Sequence, residues 1–429
     1  MNTDLSADSL LIRNFSRRPS LRLALVTETY PPEVNGVAMT LGRMVNGLVA
    51  RGHDVQLIRP SQGSHDQPHD GTQAGQHGNP GLSGNTCRHY AETLVRGLPI
   101  PRYRHLRFGL PAKSRLIQLW KNARPDLVHV ATEGPLGWSA VAAARYLKLP
   151  VTSDFHTNFD HYSQHYGMGW LRRPLATYLR QFHNRTAATF VPTTSMAQDL
   201  TRAGYHNLHV LARGVDNALY HPGRRDPALR RAWGIPENGL AVLHVGRLAP
   251  EKNFPLLQRA FAAIRQQQPD ARLILVGDGP LAAGLHRDHP EYQFCGVRVG
   301  QDLAQHYASA DMFLFPSLTE TFGNVTLEAM ASGLPVVAYR YAAAAEIIQS
   351  GVNGLLAAPE DEAGFIGQAC SLAADADLRA RIGIAARVRT VPIDWEHIYD
   401  QQADAFLDIV RQHYRRQTQG ERFIQLLPD

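Results

Sequence analysis

The sequence predicts an α/β protein with two Rossmann-like, doubly wound domains that face each other across a cleft. Three observations lead to this prediction. The 429 residues are too many for one ordinary domain. Short apolar runs typical of buried strands alternate with runs typical of helices. This alternation breaks off between Tyr205 and Gly223 and then begins again. In doubly wound domains the ligand edge lies at the carboxyl ends of the strands, so we expect the functional residues there.

The first predicted domain, residues 21–212, follows a flexible tail at residues 1–20. Helical spacing of apolar residues predicts a helix over Thr40–Ala50. Residues 61–86 contain almost no apolar side chains and are predicted to form a polar loop, whose histidines have no metal-ligand spacing. The strands predicted from apolar runs are Leu21–Val26, Asp54–Pro60, Asp126–Val130, Pro150–Phe155 and Ala188–Thr193.

The second predicted domain, residues 213–394, has the same alternation of predicted strands and helices. Its predicted strands are Ala241–Gly246, Arg272–Gly277, Met312–Ser317 and Leu334–Tyr339. A long helix is predicted at residues 395–415, because Ile398, Ala403, Phe406 and Ile409 recur at helical spacing.

Charge and cysteine content indicate a compartment and leave one surface open to two interpretations. No apolar run reaches the roughly 18 residues of a membrane span, no secretory signal opens the chain, and Cys87, Cys295 and Cys370 are widely spaced. We therefore expect a cytoplasmic protein.

Basic residues are concentrated in one segment, because nine Lys or Arg residues and one acidic residue lie between Arg88 and Arg124. They form either a solvated face or a surface for anions such as lipid headgroups, since Leu98, Ile100, Tyr103, Phe108, Trp170 and Leu171 lie nearby.

A turn after the first strand, residues 31–37, contains Asn35 and Gly36. Glycine lets the backbone approach a ligand closely, and the helix that follows offers unpaired N–H groups to an anion. An ordinary strand-to-helix turn explains the same residues, so this motif alone decides nothing.

A second turn, after strand Ala241–Gly246, contains Arg247 and Lys252. Two cations at the carboxyl end of a strand can stabilise the negative charge that develops on a departing diphosphate, without a metal ion.

A third segment, residues 316–337, contains Glu320, then Phe322, Gly323 and Asn324 at the start of a predicted helix, and Glu328 within it. Two carboxylates eight residues apart suit one extended ligand with hydroxyl groups at both ends, and the helix start between them can accept a phosphate.

This third segment resembles the E-x7-E signature of retaining glycosyltransferases of the family 4 type, which have the GT-B fold. The resemblance covers residues 21–414, with the motifs in the family's order. The opening, residues 27–36, is most similar to GDP-mannose-dependent α-mannosyltransferases and sulfolipid-type glycolipid synthases. The other matching segments are the Asn35-Gly36 loop, the Asp154–Thr157 segment with His156, the Arg247 and Lys252 turn, and the Gly277-Asp278-Gly279 turn.

The resemblance implies a role for each matching residue. His156, Glu320, Arg247 and Lys252 would be catalytic. Glu320 would hold hydroxyls of the transferred sugar and Glu328 the ribose of the donor. The other substrate-binding residues would be Asn35, Gly36, Gly277, Gly279, Phe322, Gly323 and Asn324. No metal or other cofactor is expected, because the two cations replace a divalent ion.

The resemblance also implies which substrate each domain binds. The first domain would bind the acceptor and the second the nucleotide-sugar donor, and the helix at residues 395–415 would cross back onto the first. One difference from the family is that Ala342 and Ala343 replace a frequent Gly-Gly pair before Glu346.

The implied activity is transfer of a hexose, mannose from GDP-mannose, onto a glycolipid or other glycan. Three alternatives stay open: a UDP-sugar-dependent enzyme acting on diacylglycerol, a sugar-nucleotide epimerase of the same fold, and a nucleic-acid-binding protein. We expect no nucleic-acid partner, because the basic segment lacks interleaved aromatic platforms. A peripheral contact with the inner face of an anionic membrane remains open.

Overall fold

The structure is a computed structural model that describes residues 19–33, 35–62, 66, 90–100, 103–156, 172–236 and 239–424. The predicted tail up to residue 18, most of the 61–86 loop, Cys87, Trp170 and Leu171 lie outside the described residues. The chain divides into two compact units, Met1–Ser153 with Ala403–Asp429, and Asp154–Gln402. The predicted domain boundary at residues 212 and 213 stays a prediction.

The strands of the first half, among the described residues, are β1 Arg22–Val26, β2 Asp54–Pro60, β3 Ala91–Val95, β4 Gly97–Ile100, β5 Tyr103–Gly109, β6 Leu127–Val130, β7 Val151–Asp154, β8 Ala188–Val191 and β9 Leu208–Val210. Seven of these described strands form the first sheet, in the order β3-β2-β1-β6-β7-β8-β9, and β4 and β5 pair with each other antiparallel. The division between the two units passes through β7.

The strands of the second half, among the described residues, are β10 Ala241–Val245, β11 Arg272–Val276, β12 Gln293–Gly296, β13 Met312–Phe315, β14 Val336–Tyr339 and β15 Leu355–Ala357. These six described strands form the second sheet, in the order β12-β11-β10-β13-β14-β15, and every adjacent pair is parallel. The strand order reverses between β10 and β13, which makes their carboxyl ends the switch point where ligands bind in doubly wound sheets.

Helices connect the parallel strands, as the alternating pattern predicts. In the described part of the chain they are Gly36–Ala50, Lys113–Asn122, Pro135–Tyr146, Arg172–His183, Thr194–Arg202, Pro227–Ala232, Phe254–Gln267, Ala282–Asp288, Gly300–Ser309, Asn324–Ala331, Ala342–Ile347, Glu362–Ala374, Ala376–Thr390 and Trp395–Ile424. Short 3-10 turns occur at Pro222–Arg224 and Pro250–Lys252.

The second sheet is buried on both faces, which is why its strands are almost uniformly apolar. Ala241, Leu243 and Val245 of β10 belong to the core on one face. Leu240 and Val242 belong to the core on the other face. Removing a large core side chain such as Phe313, which is fully buried, would cost about 3–5 kcal/mol.

All nine predicted strands are confirmed, each to within two residues at either end. The helix predicted over Thr40–Ala50 begins four residues earlier, at Gly36, and the C-terminal helix extends beyond residue 415 to Ile424. Residues 403–429 belong to the first unit. Within that unit, Phe406 packs against His129 with ring centroids 5.2 Å apart.

Candidate active site

The loops after β10 and β13 meet at one edge of the second sheet because these two strands are neighbours. Asn253, which has a left-handed φ of 55°, follows the 3-10 turn and donates from Nδ2 to the Pro316 carbonyl over 3.4 Å. Thr319 Oγ1 donates to the Glu251 carbonyl over 3.2 Å. The predicted phosphate turn and the predicted carboxylate loop therefore form one cluster.

Lys252 and Glu320 form an ion pair in this cluster. Their side chains are only 17% and 15% exposed, and Ser317 Oγ donates to Glu320 Oε1 over 2.8 Å. Burial alone would raise the pKa of Glu320, but Lys252 and the hydroxyl of Ser317 lower it below its ordinary value of 4.5. Glu320 is thus held as a carboxylate, ready to accept hydrogen bonds from hydroxyl groups.

His244 lies behind this pair on β10 and was not predicted as a site residue. Its Nδ1 lies 3.0 Å from the Leu314 carbonyl, which can only accept, so Nδ1 carries the proton. Burial, and then the nearby charge of Lys252, lower the pKa of His244 to about 4. His244 is therefore a neutral imidazole near Lys252 at neutral pH.

Arg247 forms an ion pair with Glu251, four residues later in the same loop. The Arg247 side chain is 35% exposed, whereas that of Glu251 is 5% exposed. The Glu251 carboxylate thus fixes the guanidinium at the switch point, with part of it accessible to a ligand. Glu251 precedes Lys252, which the sequence did identify, but nothing in the sequence indicated that Glu251 pairs with Arg247.

Gly277 and Gly279 pack against the phosphate turn. A Cβ at Gly277, whose φ is 136°, would lie 1.9 Å from the Gly246 carbonyl oxygen, and one at Gly279 would lie 2.5 Å from that of Leu248. Close backbone packing therefore requires glycine at both positions. Their predicted role in substrate binding stays a prediction.

The helix Asn324–Ala331 begins after Gly323, which has a left-handed φ of 89°. Glu320 precedes this helix and Glu328 lies within it. Tyr307, which is fully buried, donates its hydroxyl to Glu328 Oε2 over 2.9 Å. Burial, and next the charge of Glu328, raise the pKa of Tyr307 well above 10, so the phenol keeps its proton as a donor.

Two residues predicted near this helix contribute in different ways. The Phe322 ring is buried in the core, and its carbonyl accepts from the Ala343 N–H over 2.9 Å. Asn324 has its Oδ1 buried with no hydrogen-bond partner among the described residues. Asn324 Oδ1 is thus an unsatisfied acceptor among the described residues, whereas the Phe322 side chain is a packing residue.

Ala342 takes a left-handed φ of 48° at the start of the helix Ala342–Ile347. This is the conformation that glycine adopts without strain, at the first position of the Gly-Gly pair frequent in the resembling family. Glu346 of the same helix accepts from the backbone N–H groups of Thr194 and Ser195.

His156 follows β7, and its side chain is only 6% exposed. The Thr321 hydroxyl donates to the His156 carbonyl over 2.8 Å, which attaches His156 to the loop that contains Glu320. The second unit therefore brings together His156, Arg247, Lys252, Glu320 and Glu328. Arg213 and Asp154, which contact His156, were not predicted as site residues.

Asn35 and Gly36 belong to the first unit and form the start of the helix Gly36–Ala50. Asn35 Oδ1 accepts from the Ala38 N–H over 2.9 Å, and its Nδ2 donates to Thr29 Oγ1 over 2.8 Å. No atom lies within 4 Å of the place where a Gly36 Cβ would be. Packing therefore does not require glycine at this position.

Within the described ranges of the chain, no three His, Cys, Asp or Glu residues are grouped so as to hold a metal ion. Within the same ranges, no helix is both long and apolar enough to cross a membrane.

The strand order of the two parallel sheets defines the fold. The crystal structure of HepE from Anabaena in complex with UDP superimposes with a TM-score of 0.70 at 21% identity, covering 90% of this chain and 100% of that one. The fold is that of the GT-B glycosyltransferases.

Sequence comparisons define the family. Residues 34–219 match the model described as Glycosyltransferase Family 4, and residues 239–375 match Glycosyl transferases group 1. The GDP-mannose-dependent alpha-mannosyltransferase of Corynebacterium glutamicum is 31% identical over 397 residues, which are 92% of this chain and 88% of that protein. A sulfoquinovosyl transferase of Arabidopsis thaliana is 34% identical over 310 residues, which are 70% of this chain and 60% of that protein. The chain belongs to glycosyltransferase family 4, and it is a hexosyltransferase.

Proposed function

We propose that this hexosyltransferase moves mannose from GDP-mannose onto a glycolipid or other glycan acceptor, with retention of the anomeric configuration and without a metal ion. The Lys252–Glu320 pair beside Arg247 supports a donor site at the β10–β13 switch point. The choice of GDP-mannose is supported by the relative from Corynebacterium glutamicum, whose name specifies that donor.

In this proposal Arg247 and Lys252 stabilise the departing diphosphate. The bond between the anomeric carbon and the phosphate oxygen breaks, and its electron pair goes to that oxygen. The acceptor oxygen forms the new bond on the same face of the sugar, and its proton passes to the departing phosphate. Two fixed cations offset the charge that develops there, which removes the need for a divalent ion.

The carboxylates hold the rest of the donor. Glu320 accepts hydrogen bonds from hydroxyls of the transferred sugar, because Lys252 keeps it ionised. Glu328, which Tyr307 orients, accepts from the ribose hydroxyls. Because the helix Asn324–Ala331 begins between the two, its first N–H groups are available to the diphosphate. Asn35 and Gly36 offer backbone contacts to the substrates from the first unit. In this proposal the first unit binds the acceptor.

Calorimetric binding of GDP and UDP, each in EDTA, tests the donor site. We expect GDP to bind more tightly than UDP, and Lys252→Ala to weaken GDP binding roughly 10- to 100-fold, as for loss of a charge-assisted contact. Replacing Lys121, which is exposed, with alanine removes the same charge elsewhere and should leave affinity unchanged. A folded wild-type protein that binds neither nucleotide contradicts the proposed donor site.

A preference for UDP would favour a second candidate, a UDP-sugar-dependent transferase acting on diacylglycerol. The 34% identity to a sulfoquinovosyl transferase supports keeping this candidate, because that protein transfers a different sugar. Incubation with labelled GDP-mannose or UDP-glucose and either diacylglycerol or a glycosylated lipid fraction distinguishes the two candidates. NMR of the product gives the configuration at the new bond.

We also propose that the first unit contacts an anionic membrane to reach a lipid acceptor. The helix Lys113–Asn122 buries Leu116 and Trp120 and exposes Lys113, Arg115 and Lys121. Sedimentation with vesicles containing roughly one third phosphatidylglycerol, against neutral phosphatidylcholine vesicles, tests this contact. Lys113→Gln combined with Arg115→Gln should reduce binding to the anionic vesicles. Equal binding to both vesicle types would contradict it.

A further inference from the structure

Two buried charged groups next to His156 have no role in the transfer as proposed above. Asp154, at the end of β7, is 1% exposed, and Arg213 is 6% exposed. Burial lowers the pKa of Arg213, and the Asp154 charge opposes this effect. A protein buries charges at a considerable cost in free energy, so a buried pair beside a functional side chain calls for an explanation.

Arg213 decides which nitrogen of His156 holds the proton. Arg213 Nη2 lies 3.1 Å from His156 Nδ1. A guanidinium can only donate, so Nδ1 must accept and cannot carry hydrogen in this arrangement. The neutral imidazole therefore carries its proton on Nε2.

The Nε2–H group has no acceptor in line with it in the described structure. Nε2 lies 3.1 Å from Asp154 Oδ2, but this approach lacks hydrogen-bond geometry, and Nε2 has no hydrogen-bond partner among the described residues. A buried N–H without an acceptor costs roughly 1–3 kcal/mol, which an acceptor on a ligand would recover. The bond from Thr321 to the His156 carbonyl keeps this group beside the Glu320 loop.

We propose that Arg213 is a positioning residue that fixes His156 in the Nε2–H tautomer, so that His156 serves only as a hydrogen-bond donor to the transferred sugar. Asp154 balances the buried charge of Arg213. This inference rests on the proposed function, to which it adds a contact between His156 and the transferred sugar. It also excludes His156 as the base that takes the acceptor proton, in agreement with transfer of that proton to the departing phosphate.

Nitrogen NMR of protein labelled with ¹⁵N-histidine measures the tautomer directly. The chain has 20 histidines, so comparison with His156→Gln identifies the His156 signals. At about pH 8 the wild type should show a proton on Nε2. Arg213→Lys keeps a charged donor and should keep this tautomer. Arg213→Met removes the donor and should give a mixture or the Nδ1–H tautomer.

The double variant Asp154→Asn with Arg213→Met removes both buried charges together. It leaves no unpaired charge, so it can be measured even if Arg213→Met alone does not fold. It should lose the Nε2–H tautomer as Arg213→Met does. If either the Met variant or the double variant retains the wild-type tautomer, Arg213 does not fix His156 and the proposal is wrong.

Kinetics separate positioning from a structural role. We expect Arg213→Met to lower kcat at least roughly 10-fold and Arg213→Lys to recover most of it, with GDP affinity within about twofold of wild type in both. An equal loss in both variants would contradict the proposal. Failure of the proposed function has a different signature: GDP-mannose would shift the His156 Nε2–H signal no more than GDP does, while the tautomer would still depend on Arg213.

Discussion

Replacing Lys252 with methionine breaks the ion pair on which the proposed donor site depends. Its partner Glu320 is 15% exposed, so the change leaves a largely buried carboxylate without its cation. Removing one member of a fully buried pair costs roughly 3–5 kcal/mol. Because both side chains retain about one sixth of their exposure, we expect a loss of about 2–3 kcal/mol in the free energy of unfolding at neutral pH.

Glu320→Gln is the matched change, and the double variant completes a thermodynamic cycle. Glutamine retains an acceptor for Ser317, so Glu320→Gln alone should cost less than Lys252→Met. The double variant Lys252→Met with Glu320→Gln leaves no buried charge and should regain most of the stability lost in Lys252→Met. Transfer should remain absent in the double variant, because both the cation and the carboxylate are missing.

Urea unfolding followed by circular dichroism measures all four proteins under identical conditions. The cooperative transition of each unit has to be fitted separately, because a chain with two compact units need not unfold in one step. A double variant as unstable as the sum of the two single variants would show that Lys252 and Glu320 do not stabilise each other. Full transfer activity in that variant would refute their assignment to the donor site.

Three further predictions follow from other contacts. Tyr307→Phe should weaken GDP binding roughly 5- to 20-fold in calorimetry with little change in kcat, since it removes the donor to Glu328; unchanged affinity would contradict this role. Burial raises the pKa of Glu28 from 4.5 to about 7, so the folded state binds the extra proton and stability should fall by up to about 3 kcal/mol as pH rises through this range. Glu28→Gln keeps the acceptor for the Leu136 N–H and should reduce this dependence of the free energy of unfolding on pH, measured by urea unfolding. If the variant keeps the full pH dependence, groups other than Glu28 cause it. Ala342→Gly should raise the free energy of unfolding by about 0.5–1 kcal/mol, since φ is 48°, and a decrease would show that alanine is not strained there.

Strands buried on both faces were predictable because each is a short apolar run with a turn after it. The strands that the sequence did not reveal are of another kind. Four of them lie at sheet edges: Ala91–Val95, Leu208–Val210, Gln293–Gly296 and Leu355–Ala357. The other two, the paired antiparallel strands Gly97–Ile100 and Tyr103–Gly109, lie within the basic segment. Their pairing depends on neighbouring strands rather than on apolar content, so the local sequence carries little signal.

The site shows a similar division between local and distant information. The clustering of Arg247, Lys252 and Glu320 was predictable because the ends of parallel strands gather at one edge. The partners that hold them were not. Tyr307 is 21 residues from Glu328, and Arg213 is 57 residues from His156. Such pairs depend on how helices and loops pack, which no spacing in a single sequence specifies.

The carboxylate partners of the two cations indicate how the site selects its ligand. Arg247 is paired with Glu251 and Lys252 with Glu320, so the described site balances its own charge before a donor arrives. A guanidinium has five N–H groups and an ammonium three, so each cation can keep its carboxylate and still donate to a phosphate. The pairs hold both cations in place, which lowers the entropic cost of binding, but they also weaken the attraction for phosphate alone. In the proposed donor site, a ligand gains most when its hydroxyls bind Glu320 while its diphosphate binds Lys252. We therefore expect this site to bind an intact nucleotide sugar more tightly than the free nucleotide or inorganic phosphate.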